Sequence, residues 1–209
     1  MLDRSAIILA GGGSSRFGQD KGLLELAGKP MIRHILDAVS GIVDEKIIVV
    51  NSEAQARNLG GIVESEISIV VDIDNAEGPL VGAYTGFKRA GGKYSLLLPC
   101  DTPLVSSEIV SLLMEFCSNR NAVIPRYPNG YIEPLQAVYR TKPAFEAAEK
   151  ALNEGRLDLR SMIDNLKGVR YISTLVLRQL DPKLSTFFNI NSPRDLAKAE
   201  SILKSRNLY

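Results

Sequence analysis

Residues 6–21 read Ala6-Ile7-Ile8-Leu9-Ala10-Gly11-Gly12-Gly13-Ser14-Ser15-Arg16-Phe17-Gly18-Gln19-Asp20-Lys21: a short apolar run that breaks into three glycines and is followed by two cations. The run Ala6–Ala10 lacks polar alternation, which suits a strand buried on both faces. Similar runs recur at Lys46–Val50, Ser68–Val71 and Tyr94–Leu98, each followed by turn or loop residues. Between them the spacing turns helical. Ile32, Ile35, Leu36 and Val39 follow the i, i+3, i+4, i+7 rule, and Pro30 stands where a first helical turn accepts proline. Pro79–Ala90 and Ser107–Cys117 read the same way. Strands alternating with helices need crossover connections, hence a mostly parallel sheet covered on both faces. The expected fold is a three-layer, doubly wound, Rossmann-like α/β domain.

The second half changes character. Ala122–Pro125 and Leu135–Arg140 flank Pro128-Asn129-Gly130, and Asn-Gly is a strong hairpin signal. Thr141 is a candidate cap for a helix from Pro143 to about Asn153. A polar helix is expected around Asp158–Leu166, strands at Val169–Ser173 and Phe187–Asn191, and a last helix from Pro193 to about Lys204. No repeat and no long Pro/Gly/Ser linker divides the chain. A single domain, 1–209, is expected.

Composition excludes several classes. Lys plus Arg total 25 and Asp plus Glu 24 in 209 residues, a formal charge of +1. That balance argues against a general nucleic-acid or anionic-membrane binder. With 45% hydrophobic and 23% charged residues the chain reads as a globular domain. Its two cysteines, Cys100 and Cys117, form neither a disulfide framework nor a CxxC zinc signature. The apolar run at the start stops after five residues, short of the roughly 7–15 of a secretory signal, and no segment approaches the roughly 20 residues that span a bilayer. A cytoplasmic location is expected.

In an open α/β sheet, ligands bind beyond the carboxyl ends of the strands. The residues just after each proposed strand therefore form a set: the glycine loop with Arg16 and Lys21, then Asn51, Asp72 and Asp101. Adjacent glycines let the backbone approach an anion closely. Two familiar phosphate loops fail by spelling. Gly13-x₄-Gly18 is followed by Gln19-Asp20 instead of Lys-Ser/Thr, and Gly11-x-Gly13 lacks the third glycine of the dinucleotide fingerprint. What remains is a glycine loop with two fixed cations, the equipment for a triphosphate. Asp101 is placed to hold Mg²⁺, which prefers one or two carboxylates plus phosphate oxygens and water; its plainer reading as a helix cap is weakened by Ser106 and Ser107, nearer the helix start. Asp72 is read as a ribose or base contact, or else as a residue that simply ends its strand in water. His34 and Cys100 are read as structural, and Asp20–Lys21 as a surface ion pair.

The stretch Leu9–Lys21, with Leu23-Leu24-Glu25-Leu26-Ala27-Gly28-Lys29-Pro30 behind it, resembles the opening of the molybdenum cofactor guanylyltransferases, nucleotidyltransferases of the nucleotide-diphospho-sugar transferase fold. Gly78-Pro79-Leu80-Val81-Gly82, Cys100-Asp101-Thr102-Pro103, Glu133-Pro134-Leu135 and Asn189-Ile190-Asn191-Ser192-Pro193 extend the likeness in the family's order. The resemblance implies that GTP and molybdopterin give molybdopterin guanine dinucleotide and pyrophosphate, with Mg²⁺. It implies that Leu9, Ala10, Gly11 and Gly12 receive the guanine side, that Arg16 and Lys21 hold the phosphates, and that Asn51 and Asp72 meet the nucleoside. Asp101 would carry the metal, and Glu133, Asn189 and Asn191 would face the acceptor. Residues 1–118 would then be a nucleotide-binding half and 119–209 an acceptor-binding half, with molybdoenzymes or other cofactor-synthesis proteins as partners. Phe17 departs from the family's usual methionine, and Glu133 stands where a neutral or imidazole side chain is common.

Gly11 in place of alanine leaves room for a purine, but sugar-phosphate guanylyltransferases share the double glycine. Ser14-Ser15-Arg16 and the short chain favour molybdopterin as acceptor. A cytidylyl- or sugar-phosphate nucleotidyltransferase, a non-catalytic GTP-binding module for cofactor delivery, and a pure interaction protein are the competing readings.

Overall fold

The computed structural model describes residues 3–11, 17, 20–72 and 78–206. The chain runs through β1 (Arg4–Leu9), a 3₁₀ turn (Lys21–Leu23), the short strands β2 (Glu25–Leu26) and β3 (Lys29–Pro30), α1 (Met31–Val39), β4 (Glu45–Val50) and α2 (Glu53–Gly60). It continues with β5 (Ser68–Val71), α3 (Pro79–Arg89), β6 (Tyr94–Pro99), α4 (Ser107–Phe116), β7 (Ala122–Arg126) and β8 (Ala137–Arg140). Last come α5 (Thr141–Asn153), α6 (Leu159–Asp164), β9 (Val169–Ser173), α7 (Thr174–Leu177), a second 3₁₀ turn (Ser185–Phe187) and α8 (Pro193–Arg206).

Seven strands form one sheet in the order β5-β4-β1-β6-β8-β7-β9. Pairing is parallel throughout except around β8, which runs antiparallel to both β6 and β7. Alternation along each strand feeds two layers. Ala6, Ile8, Ile48, Val50, Leu96 and Leu98 pack against α1, α2 and α4. Ile7, Ile47, Val49 and Leu97 pack against α3, α5 and α6. Strands covered on both faces must be apolar on both, which is why their sequences show no polar alternation.

From β1 the chain winds outward to β4 and β5, then returns to the other side of β1 as β6. The strand order therefore reverses between β1 and β6, and the carboxyl ends of these two strands open the crevice where doubly wound folds place ligands. Cys100 N donates to Leu9 O at 3.0 Å and Ala10 N to Val49 O at 2.8 Å, so the chain leaving β1 stays tied to β6 on one side and to β4 on the other.

The hairpin expected from Asn129-Gly130 is present. Gly130 N donates to Tyr127 O at 2.9 Å, with Gly130 at φ +88°, a left-handed conformation that glycine adopts without strain. Ser106 caps α4 by accepting from Ile109 N at 3.2 Å, which frees Asp101 from capping duty. Three expectations fail. Thr141 lies inside α5, and its Oγ1 donates to Gly92 O at 2.6 Å instead of capping the helix. Phe187–Asn191 forms no strand: Phe187 ends the second 3₁₀ turn, and Ile190 N donates to Asp101 O at 2.8 Å. Asp20 does not pair with Lys21; it accepts from Gln55 Nε2 at 2.7 Å.

A third, smaller core explains where the C-terminal segment goes. Leu24, Leu26, Met31, Leu104, Ile190 and Ala199 bury one another, joining the β2–β3 hairpin and α8 to the segment after β6. Ile190 is fully buried there, which anchors the flanking asparagines beside the carboxyl end of β6.

Candidate nucleotide site

Three residues remote in sequence meet at the crevice. Lys21 Nζ donates to Asp101 Oδ2 at 3.1 Å and to Asn191 Oδ1 at 2.6 Å. Lys21 arrives on the 3₁₀ turn, Asp101 on the turn after β6, and Asn191 on the segment pinned by Ile190. Ser192 and Asp195 complete the support: Asp195 accepts from Asn191 N at 3.1 Å and from Ser192 Oγ at 2.7 Å, so α8 is capped by its own residues and the Asn191 side chain remains available to Lys21. The same bonds hold the Asp195 carboxyl below its ordinary pKa, the Ser192 hydroxyl being the main cause.

The side chains of Lys21 and Asp101 are each about a fifth exposed, at 21% and 22%. An ion pair this open to water stabilises a fold by only about 0–1 kcal/mol. Its interest lies in availability: both charges can be turned to a ligand at little cost to the fold.

The residues expected to meet the nucleoside lie at the ends of β1, β4 and β5. Leu9 closes β1, and Ala10, just after it, is buried. Gly11 is exposed, and a Cβ there would fall 2.7 Å from Asn51 Cγ and closer still to its Oδ1. Glycine at position 11 therefore lets the Asn51 side chain lie against the backbone there. Asp72 follows β5; its Oδ1 accepts from Thr85 Oγ1 at 2.5 Å, which ties it to α3, and a Cβ at Gly82 would lie 3.4 Å from Leu9 Cδ2 and 3.5 Å from Asp72 Oδ2. Leu9, Gly82 and Asp72 are thus neighbours. Gly12 and Arg16 lie outside the described residues.

The acceptor candidates divide. Asn191 belongs to the lysine cluster, whereas Asn189 is exposed. Glu133 sits on the loop between β7 and β8, hydrogen-bonded to Tyr127, and burial raises its pKa above the ordinary carboxylate value. Burial, helped by the Glu133 charge, pushes the Tyr127 phenol up to about 12. Among the described residues no hydrogen bond joins Glu133 or Asn189 to Lys21, Asp101 or Asn191.

Cys100 is buried, and desolvation pushes its thiol up to about 12, so it is a filler and no nucleophile. His34 stays structural: its Nε2 lies 2.8 Å from Leu26 O, tying α1 to the β2–β3 hairpin. Sequence reasoning passed over Gln55 on α2 and Thr85 on α3. The spelling Ser52-x-x-Gln55, a helix-start signature, was the available sign for α2 and its glutamine.

A doubly wound sheet that gathers a glycine turn, a lysine and a carboxylate at its switch point is built for a nucleoside phosphate, the architecture of a nucleotidyltransferase. Residues 6–169 match the MobA-like NTP transferase domain, and the chain belongs to that family. A probable molybdenum cofactor guanylyltransferase of Methanosarcina mazei is 35% identical over 92% of this chain and 88% of its own length. The molybdenum cofactor guanylyltransferase of Desulfosudis oleivorans is 33% identical over 96% of both chains. Among solved structures, molybdopterin-guanine dinucleotide biosynthesis protein A from Archaeoglobus fulgidus superposes with a TM-score of 0.81 at 28% identity, covering 96% of this chain and 99% of that one. The 4-diphosphocytidyl-2C-methyl-D-erythritol synthase of Anaerococcus prevotii shares the fold, with a TM-score of 0.72 at 17% identity over 97% and 96% of the two chains.

Proposed function

We propose that this chain transfers GMP from GTP to the terminal phosphate of molybdopterin, releasing pyrophosphate and forming molybdopterin guanine dinucleotide. The observation that carries the reading is the meeting of Lys21, Asp101 and Asn191 at the β1–β6 switch point, in a chain whose full-length relatives are named guanylyltransferases. An oxygen of the acceptor phosphate attacks the α-phosphorus of GTP. The new P–O bond forms as the bond to the α–β bridging oxygen breaks, and the electron pair leaves with pyrophosphate. A phosphate monoester oxygen is already ionised near neutral pH, so the step needs no general base. The residues agree: the single histidine is engaged by Leu26, and both cysteines are buried.

Catalysis then rests on alignment and charge. Lys21, and Arg16 in this reading, offset the charge that gathers on the leaving pyrophosphate. Leu9, Ala10, Gly11 and Gly12 receive the guanine, Asn51 and Asp72 the rest of the nucleoside. Asp101 and Asn191 offer a carboxylate and an amide oxygen around the point now taken by the Lys21 ammonium, a hard-oxygen donor set that fits a divalent cation completed by phosphate oxygens and water. Asp101 would hold that ion, Mg²⁺ in our reading, and the bound ion would neutralise phosphate charge. Glu133, Asn189 and Asn191 would face the pterin side, giving a nucleotide half in 1–118 and an acceptor half in 119–209. Two unpaired cysteines and the lack, among the described residues, of any helix long and apolar enough to cross a membrane support a cytoplasmic location. Molybdoenzymes or other cofactor-synthesis proteins are the natural recipients.

The test is an assay of purified protein with molybdopterin, Mg²⁺ and GTP, CTP or UTP in turn. Dinucleotide formation selective for GTP is expected; equal or greater turnover with CTP or UTP would reject guanylyl transfer.

A further inference from the structure

The start of α2 spells Ser52-Glu53-Ala54-Gln55, a capping box in which the serine side chain caps Gln55 N and the glutamine is expected to reach back to the serine backbone. Only the first half forms. Ser52 Oγ accepts from Gln55 N at 3.2 Å. The Gln55 amide instead spans three segments: Oε1 accepts from Asn51 N at 2.9 Å, while Nε2 donates to Asp20 Oδ1 at 2.7 Å and to Ala10 O at 3.4 Å. Each segment carries a group of the nucleotide site. Ala10 leads into Gly11, Asp20 adjoins Lys21, and Asn51 overlies the glycine turn.

We propose that Gln55 is a positioning residue for the nucleotide site, its one amide locking the glycine turn, the Lys21 turn and Asn51 into a single arrangement before nucleotide binds. The inference rests on the nucleotide-binding reading above. A carboxamide is suited to the task because it carries one acceptor and two donors on one plane. Glutamate has the same shape and keeps the acceptor for Asn51 N, but it cannot donate, so it faces the Asp20 carboxylate and the Ala10 carbonyl with like charge.

That difference separates positioning from helix capping. Glutamate at this position is as good a cap as glutamine, and its charge suits a helix N-terminus. A capping role therefore leaves Gln55→Glu neutral or slightly stabilised in Tm, with GTP affinity unchanged. The positioning role weakens GTP binding, with the Kd in the presence of Mg²⁺ rising about tenfold in calorimetry, the scale of one charged hydrogen bond lost. Adding Asp20→Asn lets the amide donate to the new carboxylate, reversing the bond, and should recover most of the lost affinity. Should Gln55→Glu not fold, Gln55→Ala, which removes the bonds without the repulsion, should raise Kd in the same direction by less. An unchanged Kd in the folded variant, or a rise that Asp20→Asn leaves untouched, overturns the proposal. Wild-type protein that binds GTP but forms no dinucleotide overturns the transfer reaction alone, because the Kd comparison still decides Gln55. Wild-type protein that does not bind GTP overturns both.

Discussion

The Lys21 cluster and the surroundings of Glu133 are built by opposite means. Lys21, Asp101 and Asn191 exchange charged hydrogen bonds across three segments, and those charges remain partly open to water. Glu133, proposed above to face the acceptor, has no cation beside it among the described residues; its neighbour is a phenol, and burial makes its charge unfavourable. The first arrangement contributes little to stability, so its charges can turn to a ligand at little cost to the fold. The second carries a cost in the folded state that a ligand with N–H donors would offset. Substitutions on the nucleotide side should therefore appear in turnover, and substitutions at Glu133 in stability and in its dependence on pH.

The largest effect is expected at Asp101. Asp101→Asn keeps the size and hydrogen-bonding shape but removes the charge for metal and lysine, so kcat should fall about a thousandfold while Tm stays within a few degrees. Near-normal activity in that variant would break the comparison at its strongest point. Lys21→Ala should lower kcat/KM for GTP about a hundredfold, with KM and kcat both affected, because Lys21 is read as touching the triphosphate in the ground and transition states alike. Steady-state kinetics at fixed Mg²⁺ check it, and unchanged constants would remove Lys21 from the site.

Gly11→Ala should act through Asn51. The added methyl must push the Asn51 side chain off the glycine turn, and KM for GTP should rise about tenfold. A double-mutant cycle with Asn51→Ala sharpens the point. If displacement of Asn51 is the cause, the two changes together should cost little more than either alone; full additivity would mean that the methyl meets the base directly.

The smallest effect is expected at Glu133, and its sign follows from the raised pKa. A carboxyl with a higher pKa folded than unfolded adds stability below its unfolded pKa, near 4.3, and loses that contribution as pH rises through the folded value. Glu133→Gln removes the penalty of the buried charge. Its Tm should exceed that of the wild type at pH 7 by about 1–2 °C, and the gap should close toward pH 4. A gap that widens on acidification would contradict burial as the cause. In the transfer assay the same variant should raise KM for molybdopterin and leave that for GTP alone.

How much of this was legible in the sequence follows from the range of the forces involved. The unbroken apolar runs at 6–10, 46–50, 68–71 and 94–98 announced strands covered on both faces, and all four strands lie there within a residue or two. The i, i+3, i+4, i+7 spacing of Ile32–Val39 announced α1, and Asn129-Gly130 announced the hairpin. These signals are local, and local energetics decide them. The failures came where tertiary contacts overrule local preference. Phe187–Asn191 is rich in strand formers, yet the burial of Ile190 between the β2–β3 hairpin and α8, with its N–H on Asp101 O, holds the segment out of the sheet. Thr141 has the chemistry of a cap, yet a buried carbonyl at Gly92 claims its hydroxyl. The rule that ligands gather beyond strand carboxyl ends pointed to Asn51, Asp72 and Asp101, and of these Asp101 meets Lys21 and Asn191 in the structure. Gln55 escaped because its role exists only once three loops have converged, which no window of sequence displays.

The central claim is that the triphosphate lies at the meeting point of Lys21, Asp101 and Asn191. The most direct measurement is a crystal structure of the protein with Mg²⁺ and a non-hydrolysable GTP analogue. The phosphates are expected within hydrogen-bond reach of Lys21 Nζ, with the metal on Asp101 and the base over Gly11. A triphosphate bound elsewhere, with the Lys21–Asp101 pair untouched, would contradict it.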